Sequence, residues 1–264
     1  MPYDVLKKAV QPPAFPPHSL RTQTVFSFSE EIAGMSRHLK HDLEEAYHRL
    51  LALSGQVEEM INLSVKSLMH RQLDTAAQVI GLDDDIDRTE VRIEEECLKM
   101  LALHQPVAAD LRRLTTMLKV NNDLERMADL ACNVAERASN VPADSDFPIP
   151  ELIREMADET IAMVRDSLNA FINLDIELAY QVIQRDNRVD EMNVQVIDSL
   201  VKLMANSNWV EVALHCFSAS RHLEQIADHA TNVAEDVVYM VNGVIVRHRH
   251  AELGKPNLTD LAQD

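Results

Sequence analysis

The sequence predicts an all-α fold built from two tandem, homologous three-helix bundles, six long helices in all. Three observations carry that prediction. A phrase is said twice: residues 124–136 read Leu-Glu-Arg-Met-Ala-Asp-Leu-Ala-Cys-Asn-Val-Ala-Glu and residues 223–235 read Leu-Glu-Gln-Ile-Ala-Asp-His-Ala-Thr-Asn-Val-Ala-Glu, identical at 9 of 13 positions, 99 residues apart. The matching extends upstream, where Ala76, Gln78, Val79, Ile80, Asp83 and Asp87 align with Ala179, Gln181, Val182, Ile183, Asp186 and Asp190 at an offset of 103, so the repeat is a whole module. The drop from 103 to 99 places a four-residue shortening of the second copy in a connection between helices. Finally, helix formers dominate while glycines number 5 and aromatics only 4%, which disfavours β-sandwiches and glycine-punctuated α/β folds.

The elements follow in order. Residues 1–30 hold Pro2, Pro12, Pro13, Pro16 and Pro17 with no sustained period, and read as an extended or disordered lead-in dispensable for folding. The first bundle is expected over 31–139. From about Met35 to Leu73, apolar residues recur at helical spacing through Leu39, Leu43, Leu50, Leu53, Val57, Met60, Ile61 and Leu68. Asp74 serves as the expected N-cap of a second helix running to about Leu103, and Pro106 fits the first turn of a third that ends near Ser139. Short connections between long helices predict antiparallel neighbours. Residues 140–150 (Asn-Val-Pro-Ala-Asp-Ser-Asp-Phe-Pro-Ile-Pro) are dense in proline and turn formers and mark the boundary. The second bundle, 151–243, repeats the pattern with helices at about 151–174, 176–206 and 209–242, Asp175 as a cap and Gly243 as a stop. Residues 244–264 mix Arg247, Arg249 and Lys255 with Glu252, Asp260 and Asp264 and read as a loosely docked tail.

Composition limits the function. Hydrophobic residues make up 46%, enough for a core in each half, yet no stretch approaches the ~20 apolar residues of a membrane span. With no apolar leader at its start, the expected setting is soluble and cytoplasmic. Cys97, Cys132 and Cys216 are too few and too scattered for a disulfide framework or a zinc knuckle, and read as small buried helix residues. A formal net charge of −18 disfavours nucleic acid and favours cations or basic protein surfaces. No glycine-rich phosphate loop, His-Glu-x-x-His motif or Gly-x-Ser-x-Gly elbow is present, and nothing in the sequence looks catalytic.

The repeated phrase carries the chemistry. At ~100° per residue, setting Glu125 at zero puts Asp129 near 40°, Asn133 near 80° and Glu136 near 20°, a narrow polar stripe, with Leu124, Ala128, Ala131 and Ala135 on another side. Glu224, Asp228, Asn232 and Glu235 repeat the stripe, so the acids are expected to point out of each bundle. A solvated amphipathic face is the bland explanation. Against it, stacked acids at i, i+4 repel by a few tenths of a kcal/mol per pair. Kept in register twice, they call for a counter-charge. Asp83 and Asp87, with Glu90 a turn on, and Asp186 with Asp190 repeat the spacing on the second helix of each bundle. Two neighbouring helices thus offer several oxygen donors to one site, a set that suits hard or borderline cations such as Mg, Ca, Mn or Fe. His215, His222 and His229 share a different face, ~100° or more from that stripe, with a surface or interface role. Glu45-x-x-His48 mimics a di-iron ligand pair, but it occurs once and outside the repeat.

At these residues the sequence resembles the PhoU family, the phosphate-uptake regulators of bacteria. The resemblance runs from about Gly34 to Gly243 and rests on Gln105-Pro-Val-Ala-Ala-Asp-Leu-Arg112, Leu124-Glu-Arg-Met-Ala-Asp129 and Arg221-His-Leu-Glu-Gln-Ile-Ala-Asp-His-Ala230, in tandem with the Asp83/Asp87 and Asp186/Asp190 segments. It implies two three-helix bundles, clusters of metal (Fe, Mn, Mg or Zn) held on the bundle surface by the Glu/Asp-x-x-x-Asp motifs, and a homodimer or higher oligomer. It also implies a non-enzymatic adaptor between the ATPase subunit of the phosphate ABC transporter and the phosphate-sensing histidine kinase, exerting negative regulation when phosphate is plentiful. Three departures stand out: Ala128 and Ala227 replace glycines common in the family, Asn193 stands where the first copy has Glu90, and the proline-rich residues 1–30 are an addition. Two rival readings remain at this point, a ferritin-like di-metal carboxylate oxidase and a purely structural helical scaffold.

Overall fold

Six helices appear in chain order: α1 (Arg37–His70), α2 (Leu73–His104), α3 (Ala108–Ser139), α4 (Leu152–Asn173), α5 (Ile176–Leu203) and α6 (Val210–Asn242). The computed structural model describes residues 37–243; the expectations made for residues 1–30 and 244–264 lie outside the described residues. All eight apolar residues that define the first helical period, from Leu39 to Leu68, are buried, so the 3.6-residue pattern is the core face of α1.

The helix ends differ from expectation by a few residues, each for a local reason. Helix α1 stops at His70 because Arg71 takes the left-handed conformation (φ 54°), and α2 begins at once with Gln72 at its N-cap. Asp74 is therefore not the cap but lies in the first turn, where its charge still meets the positive end of the helix dipole. Gln105 (φ 46°) closes α2 in the same left-handed way, and Pro106 stands two residues ahead of α3 rather than inside it. Asp175 caps α5 as expected, its Oδ1 accepting from the Leu178 amide at 3.0 Å. Helix α5 ends at Leu203 instead of near 206, and a 3-10 turn at Ser207–Trp209 leads into α6. Gly243 (φ 70°) terminates α6, supplying the left-handed cap that glycine adopts without a Cβ penalty.

Consecutive helices pack side by side within each repeat, and the two repeats meet along α3 and α6, with α1 against α4 as a second line of contact. Helix α3 therefore touches α1, α2 and α6, and α6 touches α3, α4 and α5. The seam is polar as well as apolar. His229 Nδ1 lies 2.8 Å from Asp123 Oδ1, Lys119 Nζ lies 3.0 Å from the buried Asp236 Oδ1, and Arg165 of α4 binds Glu58 Oε2 of α1 at 2.7 Å. Tyr47 of α1 packs on Phe171 of α4 with ring centroids 5.3 Å apart.

The stretch 140–150 is more than a tether. Val141 and Phe147 are buried; Phe147 meets Trp209 edge-on at 5.9 Å, its carbonyl accepts from Arg71 Nη2 at 2.5 Å, and Trp209 Nε1 donates to Asp146 Oδ1 at 2.9 Å. Turn-forming prolines set its path, and two apolar side chains dock it.

Candidate metal centres on two helix hairpins

The α2–α3 hairpin gathers the first set of acids. Successive steps of four and three residues keep Asp83, Asp87 and Glu90 on one face of α2, and the same arithmetic aligns Glu125 and Asp129 on α3. Antiparallel packing then brings the faces together: Asp83 feels the charges of Asp87 and Asp129, and Glu125 those of Asp129, Asp87 and Glu90. Arg126 is the counter-ion in contact, 3.1 Å from Asp129 Oδ2 and 3.4 Å from Glu125 Oε2. One guanidinium cannot neutralise five carboxylates. Partial burial first, then mutual repulsion, pushes Asp83, Glu90 and Glu125 above the ordinary carboxylate range, with the Cys132 hydrogen bond opposing at Asp83 and Arg126 opposing at Glu90 and Glu125.

Two further side chains join this cluster. Asn121, fully buried, donates from Nδ2 to Glu90 Oε1 at 2.8 Å and to the Glu90 carbonyl at 3.0 Å, while its Oδ1 has no hydrogen-bond partner. Cys132 points its Sγ at Asp83 Oδ1, 3.4 Å away, and burial and that carboxylate push its thiol pKa up. The sequence reading as a buried helix residue is right for Cys132, but that reading misses its contact with the acids.

The α5–α6 hairpin repeats the arrangement with Asp186 and Asp190 facing Glu224 and Asp228. Arg221 Nη1 holds Glu224 Oε1 at 2.6 Å, leaving Glu224 Oε2 buried and without a partner. Thr231 Oγ1 donates to Asp186 Oδ1 at 3.1 Å. Burial raises the Glu224 carboxyl, opposed by Arg221 and reinforced by Asp190 and Asp186. Asp228 is exposed by area at the mouth of the cluster, yet its carboxyl is shielded enough that desolvation, then Asp186, Glu224 and Asp190, push it up to about 6 despite His229 beside it. Asn193, at the position of Glu90, is buried with its Oδ1 unpartnered.

The remaining residues of the repeated stripes sit in several settings. Asn133 and Asn232 line a groove of about 490 Å³ between the repeats, together with Arg126, Asp129, Gln225, Asp228 and His229. His229 lines this groove beside its chain neighbour Asp228 and reaches across the α3–α6 seam to Asp123. Glu136 is exposed, whereas Glu235 is only 4% exposed. The expectation that every acid faces outward fails at Glu235: α6 is wedged among three helices, and Val233 to Val238 are all buried. Glu45 pairs with His41 and Arg49 along α1, so Glu45-x-x-His48 lies on an exposed helix face.

Among the described residues no group of three or more His, Cys, Asp and Glu side chains is arranged to hold a metal ion. The chemistry of the donors nonetheless suits a hard or borderline cation. These donors are carboxylate and amide oxygens, the acids are raised by one another's charge, and Asn121 Oδ1 and Glu224 Oε2 are buried acceptors with nothing to accept from.

Fold and site together define a duplicated all-helical protein whose two hairpins each carry a carboxylate cluster. A profile of the PhoU domain matches it twice, over residues 50–138 and 153–237. The chain belongs to the PhoU family. It is 37% identical over 216 residues to the phosphate-specific transport system accessory protein PhoU homolog of Pseudomonas putida, covering 81% of this chain and 84% of that protein. The crystal structure of PhoU from Pseudomonas aeruginosa superposes with a TM-score of 0.75 at 36% identity, covering 78% of this chain and 99% of that one. The phosphate transport system regulatory protein PhoU from Streptococcus pneumoniae gives a TM-score of 0.74 at 25% identity, covering 79% and 99%. As a member of this family the chain is an accessory protein and not an enzyme. No helix among the described residues is long and apolar enough to cross a membrane.

Proposed function

We propose that this protein is a cytoplasmic, metal-binding regulator of phosphate uptake. It acts as an adaptor between the ATPase subunit of a phosphate ABC transporter and the sensor histidine kinase of the phosphate-starvation response, and restrains both when phosphate is plentiful. The observation that carries the reading is the extent of the likeness: proteins named as accessory or regulatory components of phosphate transport match about four-fifths of this chain, and the PhoU domain matches both repeats. Bound Fe, Mn, Mg or Zn would neutralise each cluster, with Asp83, Asp87, Glu90, Glu125 and Asp129 holding it in the first hairpin and Asp186, Asp190, Glu224 and Asp228 in the second. Asn133, Asn232, Glu136 and Glu235 border these sets on the same helices, and Asn121 braces Glu90.

An adaptor also needs faces for its partners. Exposed apolar residues recur at equivalent positions in the two repeats: Val91 and Val194, Leu98 and Val201, Leu111 and Val210. A merely solvated surface has no reason to keep such residues twice. The same faces are available to a second copy of the chain, in keeping with a homodimer or higher oligomer.

The test is genetic and biochemical. Deleting the gene should switch on a phosphate-starvation reporter in phosphate-rich medium, and affinity capture from cells grown in high phosphate should recover the kinase and the ATPase. A silent reporter in the deletion strain would sink the regulatory reading.

A further inference from the structure

Helix α5 carries two apolar seams, and the bundle uses one of them. Val182, Val189, Val196 and Leu200 are buried in the core. On another side of the helix, Val194, Ile197, Val201 and Met204 follow at steps of three, four and three residues, the a/d spacing with which one helix receives another. Val194 is 58% and Val201 60% exposed, while Ile197 and Met204 are half-buried along the inner edge of the seam. Single exposed valines are ordinary on a protein surface, but an aligned seam of apolar side chains marks a contact face.

The face continues onto α6. Phe217 precedes Glu224 by seven residues, about 20° around the helix, so it extends the side that carries the second carboxylate cluster, with Leu214 one turn further on. These two are 38% and 54% exposed. Charge defines the occupant. Glu191 and Asp198, both exposed and seven residues apart, lie about 40–60° to one side of the valines, at the flanking e positions whose charges choose a partner helix. Of the cations on α5, Arg185 and Arg188 are held by Glu159 of α4, and Lys202 stands in the last turn. The flank is therefore acidic and complementary to Lys or Arg. Helix α2 repeats the layout in part. At the offset of 103, Val91, Glu95 and Leu98 match Val194, Asp198 and Val201, but Glu94 interrupts the seam where Ile197 continues it, and Arg88, paired with Asp85, replaces Glu191.

We propose that the outer seam of α5, with Phe217 of α6 beside it, docks a basic amphipathic helix of a protein partner, whose apolar residues pack on Val194 and Val201 and whose Lys or Arg residues pair with Glu191 and Asp198. The α2 face receives the same kind of helix more weakly, because covering Glu94 with apolar side chains strips water from a carboxylate. This rests on the adaptor reading above and gives the docking segment of the partner its chemistry.

The test uses the full chain and a fluorescein-labelled synthetic helix with Leu at its a and d positions and Lys at e and g, read by fluorescence anisotropy in physiological salt. An otherwise identical peptide with Glu at e and g is the control. The wild type is expected to bind the Lys peptide and not the Glu peptide. Val194→Ser with Val201→Ser should lower the affinity roughly tenfold or more. Glu191→Lys with Asp198→Lys should lower it as much and transfer binding to the Glu peptide, while Val91→Ser with Leu98→Ser changes it less. All these side chains face solvent, so helical circular dichroism stays unchanged in each variant. Affinity insensitive to the valine pair means attraction by bulk charge and overturns the seam, as does a Lys peptide that stays bound after charge reversal. Sedimentation tests the other occupant: self-association of the wild type that the valine pair abolishes, with no peptide bound, assigns the face to a second copy and overturns the proposal. A silent starvation reporter in the deletion strain, with the peptide still bound, sinks the adaptor reading and leaves this docking face in place.

Discussion

Asp228 sits among Asp186, Glu224 and Asp190, and desolvation followed by these charges pushes its pKa up to about 6 from an unfolded value of 3.8. Because the folded state holds this proton more tightly, the stabilising contribution is fully present below the unfolded value and is lost as pH rises through the folded one. Metal-free protein should therefore gain stability as the pH is lowered from 7 toward 5. Asp228→Asn, which deletes the repelling charge, should melt above the wild type at neutral pH, and the gap should close near pH 4. Thermal denaturation of both proteins across this range checks it, and a gap that widens in acid would contradict the sign. A second outcome concerns the ions themselves. Replacing Asp129 and Asp228 together by Ala should lower metal affinity by roughly tenfold or more with helical circular dichroism unchanged, since both carboxyls lie at the mouths of their clusters rather than in the core. Undiminished metal content in the double variant would refute the assignment of these residues.

Among the elements, α2 and α5 are copies that have diverged where Glu90 became Asn193, so the second hairpin has one carboxylate fewer. The first site is expected to resist chelator longer. Glu90→Gln should narrow the difference and Asn193→Glu should narrow it from the other side, both read from the rate of metal release in the full chain; release from the first site before the second would exclude Glu90 as a ligand. Helix termini give a prediction independent of any ion. Gln105 is exposed and closes α2 at φ 46°, a conformation that costs a residue with a Cβ about 1 kcal/mol more than glycine. Gln105→Gly should stabilise the protein by about that amount in urea unfolding.

The whole molecule joins its repeats along α3 and α6, which sets the two carboxylate hairpins on either side of a shared groove containing Asp129, Asn133, Asp228 and Asn232. A molecule built this way presents two related faces at once. Val91→Asp with Leu98→Asp, and separately Val194→Asp with Val201→Asp, alter only side chains that are about half exposed or more. Each pair should leave the melting temperature nearly unchanged while weakening capture of one or both protein partners. Full capture by all four substitutions combined would show that these faces are not the docking surfaces.

Much of this protein was legible before any tertiary information. Six helices and the duplication follow from periodicities of 3.6 and of about 100 residues, and the i, i+4 spacing alone puts Asp83 with Asp87, and Glu125 with Asp129, on one face of each helix. Proline and turn residues located the stretch between the repeats, while the burial of Phe147 and its contact with Trp209 depend on where the turn before α6 falls, 62 residues later. Helical phase alone assigned Glu235 to an outward stripe; a helix packed on three sides has little outward face left, and only the assembly of α3, α4 and α5 around α6 decides which turns are buried. The angle of His229 around α6 sets it off the carboxylate stripe, but that its partner is Asp123 of α3 is decided only by the packing of the two helices. The contact of Cys132 with Asp83 is of the same kind. Angle around one helix is written in the sequence, but distance between side chains on two helices is fixed only when both are packed.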